Sequence, residues 1–362
     1  MYSESDIEAA VAAGALTPEA ASGLRNHVAT RSSSYAVDEE HFRLITGFND
    51  IFVSIAAAIL LFAVAWIGQA IGPKIDGEGP GPIGGLFVAA CAWGLAEFFT
   101  KKRRMALPSI ILLLAFTGGV LVTAFTTIVL AIGIDAFENN ERAAALVAAA
   151  SAALAAGATY LHWRRFKVPI TIAVGAATVV GVVLALIAYA VGDTEGLEDV
   201  MLVSALVLGI GVFLFAMRWD SSDPRRETRR SDVAFWLHLL SAPLIVHPIF
   251  SLLGLNDGDA TVGEAIIVLA VYVMLGLVAL AIDRRALLVS ALAYVLFALI
   301  SLFQEFGAVE LNIALAAFVI GSGLLLLSAF WHSVRRSVVK PLPPTLQARL
   351  PVLDRVAVAA TA

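Results

Sequence analysis

Long, uninterrupted apolar runs alternate with short polar connections along this chain. The runs cover residues 51–72, 83–100, 107–134, 143–162, 168–191, 200–217, 233–255, 262–282, 286–306 and 311–331. Each meets or approaches the roughly 20 apolar residues that cross about 30 Å of hydrocarbon as a helix. They are continuously apolar rather than alternating, which excludes the strands of a membrane barrel. The pattern predicts an all-α fold, a polytopic membrane helix bundle of about ten transmembrane helices. The third run is long, and with Thr117-Gly118-Gly119 and Thr126-Thr127 inside it reads as a tilted helix or a broken one.

The sign of charge in the connections alternates as well. Basic clusters follow every second run: Lys101 to Arg104, Arg164-Arg165-Phe166-Lys167, Arg218 to Arg230, Asp283-Arg284-Arg285 and Arg335-Arg336. The connections between them are acidic: Asp76 and Glu78, Asp135 to Glu141, Asp193 to Asp199, Asp257 and Asp259. Lys and Arg are retained on the cytoplasmic face during insertion, so the expected topology has both termini inside. Three parts follow: a cytoplasmic helical hairpin, linker and interfacial segment at 1–50, ten spans over 51–331, and a cytoplasmic tail at 332–362. Basic clusters recurring every 50–65 residues suggest an out-and-back helical hairpin as the unit, from duplication or from independent selection of basic anchors.

Composition agrees. The 362 residues are 60% hydrophobic and 15% charged, too few charges for a soluble surface of that size. The net charge of −5 hides a segregation: of 24 Lys and Arg, only Lys74 and Arg142 fall in connections placed outside. The basic connections favour anionic lipid headgroups as partners, and no basic, aromatic-interleaved surface points to nucleic acid. The single cysteine, Cys91, lies inside an apolar run and reads as a small buried side chain.

The first fifty residues are too polar for a signal peptide, so the first span is expected to insert uncleaved. Within them, Gly14 suits a left-handed position after a helix, and Thr17-Pro18-Glu19 suits the start of a second. Arg31 to Ser34 reads as a linker. Asp38 to Asp50 reads as an interfacial helix carrying Phe42, Ile45 and Phe48.

Candidate chemistry is sparse. Ala177-xxx-Gly181, Gly175, Gly209-x-Gly211 and Gly321-x-Gly323 read as helix-packing positions. The seventh run is the exception: it holds His238, Ser241, Pro243, His247, Pro248 and Ser251. Pro243 and Pro248 free the carbonyls of Leu239 and Leu244 within the bilayer, and His or Ser side chains are candidate donors to them. Ionisable residues at that depth face the protein interior or a wet cavity. His238 and His247, nine residues apart, fall on opposite faces of a helix and form no metal pair. Glu264 and Glu305, near the outer ends of spans eight and nine, either line a vestibule or reach water.

Other polar groups read as anchors. Glu97 pairs with Lys101 one turn on, His162 and His332 sit beside Trp163 and Trp331 at the inner interface, and Arg218 to Asp232 is a self-paired loop ending in a Ser231 cap. No catalytic motif, haem or flavin fingerprint or zinc spacing occurs, so neither cofactor nor metal is expected.

The stretch Ala13-Gly14-Ala15-Leu16-Thr17-Pro18-Glu19-Ala20 before a multi-span domain, with Ser231 to Pro248, resembles functionally uncharacterised bacterial polytopic membrane proteins, the domain-of-unknown-function type with a short helical hairpin before the spans. The resemblance implies a bacterial inner-membrane location and carries over no activity. Three functions stay open. The leading one is a carrier or permease for a small or lipid-like solute, with span seven near the pathway. The others are a membrane-embedded enzyme using His247 and a sensor or assembly scaffold.

Overall fold

The computed structural model describes residues 7, 10–24, 48–138, 140–224, 226, 228–253, 262–305 and 311–353. Helix makes up 85% of it, with no strand among the described residues, as the continuous apolar runs require. By contacts the chain divides into Met1–Arg43 with Asp354–Ala362, and Leu44–Leu353.

In the first unit, helix spans residues 10–12 and 18–24. Gly14 takes φ +71°, and the amide of Ala15 donates to the Ala10 carbonyl at 2.9 Å, closing the first helix as its glycine predicts. Thr17 Oγ1 accepts from the Ala20 amide at 3.1 Å, the cap expected of it. The linker at Arg31 to Ser34, and Phe42 and Ile45 of the expected interfacial helix, lie outside the described residues.

In the second unit the runs become α1 (Phe48–Ile71), α2 (Pro82–Ala96), α3 (Ala106–Ile132), α4 (Glu141–Phe166), α5 (Ile170–Val191), α6 (Leu197–Ser221), α7 (Arg229–Leu252), α8 (Val262–Ile282), α9 (Ala286–Glu305) and α10 (Asn312–Ala329). Among the described residues nine helices are long and apolar enough to cross a membrane. In α9 the apolar stretch described, Leu287–Ile300, is shorter. The third run is one continuous helix. Its threonines turn their hydroxyls inward onto backbone, Thr126 to Val122 at 2.7 Å and Thr127 to Thr123 at 2.6 Å, so polar side chains do not break it.

The most extensive helix contacts are α6 with α7, α4 with α5 and α2 with α3, each a pair joined through a basic connection. Arg104, Lys167, Arg226 and Asp283, one in each of the first four basic connections, all have positive φ, between 53° and 57°. A left-handed residue of this kind disfavours a side chain, yet none of the four is glycine. The closely packed unit is therefore the hairpin that turns at a basic connection, not the one running from one basic cluster out and back to the next.

Helix α7 is the central strut. Half of its apolar window is buried, against 11–33% in the other candidate spans, and it packs on α5, α6 and α9. It runs through Pro243 and Pro248 without interruption. After α10 a break at Phe330 leads into α11 (Trp331–Val339), which buries Trp331, Arg335 and Val339.

Close approach between helices depends on glycines, though only partly on those the sequence singles out. A methyl group on Gly119 would lie 2.6 Å from the Gly85 carbonyl oxygen, and one on Gly68 2.8 Å from Gly84 Cα. One on Gly209 would lie 2.9 Å from the Leu244 carbonyl oxygen, the group that Pro248 deprives of its helical donor. A methyl group on Gly211, Gly321 or Gly323 would meet nothing within 4 Å among the described residues. Gly119→Ala and Gly209→Ala are therefore expected to cost about 1–3 kcal/mol each. Gly211→Ala and Gly321→Ala should leave thermal unfolding in detergent unchanged or slightly raised, and an equal loss in all four variants would contradict this packing.

Candidate functional site

The strongest polar constellation lies at the basic end of the bundle, where α6, α7, the α8–α9 turn and α11 converge. Asp220, the penultimate residue of α6, is 1% exposed. Its carboxylate faces three donors. His238 Nε2 on α7 lies 2.9 Å from Oδ2, while Arg284 donates from Nη2 to Oδ1 at 2.6 Å and from Nε to Oδ2 at 3.3 Å. Arg284 also reaches back to the Ser231 carbonyl at 3.1 Å, tying the first turn of α7 to the α8–α9 turn. Arg284 thus donates three bonds to buried oxygens, in keeping with its burial.

A second buried carboxylate, Asp283, stands beside the first. Arg226 Nη1 donates to its Oδ2 at 3.0 Å, and Nη2 donates to the carbonyls of Ile282 and Asp283, each at 3.1 Å. Trp331 Nε1 donates to Oδ1 at 2.6 Å, and Arg335 Nε lies 3.7 Å from the same oxygen. Arg335 is 1% exposed and extends the network to the end of the described chain, donating to the carbonyls of Pro351 (2.7 Å) and Val352 (3.2 Å). The Val352 amide donates to the Pro224 carbonyl at 3.3 Å, and Leu350 packs into the apolar cluster containing Trp331. Residues 340–353 thus lie as a strap across the basic end.

Local sequence explains the placement. Asp223 Oδ2 accepts from the amide and hydroxyl of Thr228 (2.9 and 2.8 Å), folding the α6–α7 connection tightly enough to bring Arg226 inward. Thr228, not the expected Ser231, caps α7, accepting from the Arg230 amide at 3.2 Å. Ser231 already lies in the first helical turn, its hydroxyl donating to the Thr228 carbonyl. The connection is therefore more than a self-paired anchor: Asp220 and Arg226 pair with Arg284 and Asp283 of another hairpin.

The residues singled out from sequence separate. His238 and Ser241 belong to this network, with Ser241 fully buried and donating to the His238 carbonyl at 3.0 Å. His238 Nδ1 is buried and has no hydrogen-bond partner among the described residues. His247 lies on the other side of α7, exposed, with Nδ1 2.7 Å from the Tyr294 hydroxyl of α9. Tyr294 in turn stacks on Phe250, ring centroids 4.3 Å apart. The two histidines thus sit on opposite faces, as their spacing predicts, and each ring engages a side chain. Ser251 and Glu264 are half-buried near the acidic end, and the Glu305 side chain lies outside the described residues.

Two groups at the basic end differ from expectation. Glu97 does meet Lys101 (3.7 Å), but its stronger contact is the bidentate pair with Arg165 at 2.6 and 2.8 Å. His162 faces the bundle rather than its surface: it is fully buried among Trp93, Phe116 and Phe166, both ring nitrogens without a hydrogen bond among the described residues. Among the described residues no group of three His, Cys, Asp or Glu side chains is placed to hold a metal ion.

Sequence reasoning passed over Asp220, Arg226, Asp283, Arg284, Trp331 and Arg335 because a topology account absorbs every basic cluster. One signal was present: Asp220 and Asp283 are acids inside basic clusters, on the face where anchoring needs none.

Comparison with models of known protein families, with curated proteins and with solved structures finds no match. The nine apolar helices fit a multi-pass membrane protein.

Breaking a buried ion pair by removing one partner costs about 3–5 kcal/mol, because the other charge is stranded. Asp220→Ala and Arg284→Ala should each lose stability on that scale in detergent. The double variant should lose clearly less than the sum of the two. Additive losses would mean that the two residues are not one energetic unit.

Proposed function

We propose that the protein is a bacterial inner-membrane carrier for a small or lipid-like solute, with both termini cytoplasmic, and that the Asp220–His238–Arg284 cluster is its gate on the basic side. The observation that carries this reading is a charged cluster buried where the spans end. A bundle that only had to be stable gains little from it, since well-packed apolar residues of similar volume often serve as well or better. Ionisable groups inside spans are costly, and where they occur they mark solute, ion or proton pathways. His238 belongs to α7, the most buried candidate span, so a change at the cluster acts directly on the helix that packs against α5, α6 and α9. The unpartnered Nδ1 of His238 supports the same reading, because a proton or a solute atom can satisfy it when the cluster rearranges.

In this reading the network holds the basic side shut, and alternating access requires Asp220 to part from Arg284. His247, hydrogen-bonded to Tyr294, is not assigned a catalytic role. Ser241 provides the test, being fully buried one turn from His238. On a Cys91→Ser background, Ser241→Cys should react slowly with a small charged thiol reagent applied from the cytoplasmic side of inverted vesicles. Adding Arg284→Gln should speed that reaction several-fold. A thiol that stays inert in both folded variants, yet reacts after denaturation, would sink the gate.

A further inference from the structure

A cavity of about 440 Å³ lies between α1, α2 and α3, away from the ion network. Phe62, Trp66 and Val122 form its rim and Gly84, Gly85 and Gly118 part of its wall. Phe62 and Trp66 are 69% and 70% exposed, so the cavity opens sideways onto the face that meets hydrocarbon in a membrane. We propose that it binds one acyl chain of an anionic phospholipid, whose phosphate is met by Lys74 at the acidic end.

Three observations carry this. The lining is apolar, and its one side-chain amide is already engaged by backbone: Gln69 donates to the Gly79 carbonyl at 2.6 Å and accepts from the Gly81 amide at 2.8 Å. A polar solute finds little to bind there, and an apolar cavity does not hold water. In a bilayer the fitting occupant is hydrocarbon, which gains dispersion contacts against fixed walls.

The second observation is Gly118. Gly85 and Gly119 are needed for the α2–α3 approach, but a methyl group on Gly118 would meet nothing within 4 Å among the described residues. The packing of the protein itself leaves that space unfilled, and a glycine inside a helix is otherwise unfavourable. The third is charge. Lys74 is the only cation in the connection between α1 and α2, and Gly81, which lines the cavity, belongs to the same connection. Lys74 is half-buried and makes no ion pair among the described residues, while Asp76 and Glu78 beside it are exposed. A cation in the connection that supplies Pro80 and Gly81 to the slot matches a phosphate joined to a tail. The proposal does not rest on the carrier reading, since a lipid held here serves a scaffold equally.

The purified protein, stripped of lipid in detergent, would be titrated with dioleoylphosphatidylglycerol and with dioleoylphosphatidylcholine and followed by native mass spectrometry. The wild type should bind one phosphatidylglycerol ahead of all others and prefer it to phosphatidylcholine. Gly118→Leu, which fills the slot without touching a neighbour at its Cβ, should weaken that first binding by about tenfold. Val122→Phe at the rim is the second filling variant, and melting of the lipid-free proteins checks that both fold. Lys74→Gln should abolish the preference between the two lipids while retaining tail binding. First binding undiminished in both filling variants overturns the site. Equal binding of the two lipids by the wild type overturns the assignment of an anionic head.

Discussion

Asp220 ends α6 with no solvent around it, and a carboxylate in that position must be met by cations and donors or it will not stay charged. Arg284 and His238 meet it, and they come from the α8–α9 turn and from α7. Once Arg284 is drawn inward, its neighbour Asp283 is buried too, and it recruits Arg226, Trp331 and Arg335. The chain from 340 to 353 then finds its place by offering carbonyls to Arg335. A single buried carboxylate thus stands at the start of a chain of contacts that ties α6, α7, the α8–α9 turn, α11 and a terminal strap at the basic end.

The spanning helices were legible in the sequence for a physical reason. Hydrocarbon leaves the backbone no partner but itself, so continuous apolar runs are helices and their boundaries follow the charges. Local signals were equally readable: the left-handed Gly14 and the Thr17 cap need only neighbours within a turn. The ion network was not readable. Asp220 and Arg284 are 64 residues apart, and nothing in either segment names the other. Anchoring also accounts for the same arginines equally well, which leaves the acids among them, Asp220 and Asp283, as the one signal to prompt a search. The choice of Ser231 as cap failed for a related reason, since Thr228 serves only because Asp223 folds the preceding turn.

Two kinds of contact hold the helices. Around α1, α2 and α3 the backbones meet at Gly68, Gly84, Gly85 and Gly119, with dispersion as the main attraction. From α6 onward polar pairs tie the ends of α7, α8 and α9, and Gly209 is the principal close approach, set against the turn that Pro248 opens. Dispersion between glycine faces is rigid and local. An ion network has discrete alternative partners and can switch between them, which is why the basic end, rather than the glycine-packed helices, is assigned the moving part.

The central claim is that the Asp220–Arg284 contact holds α6 and α9 together at the basic end. Spin labels on a cysteine-free background at Ser221 of α6 and Val289 of α9, both exposed, report that separation by pulsed electron resonance in lipid nanodiscs. The account predicts one dominant short distance in the otherwise native protein and a second, longer population when Arg284 is replaced by Gln. A single distance left unchanged by Arg284→Gln contradicts it.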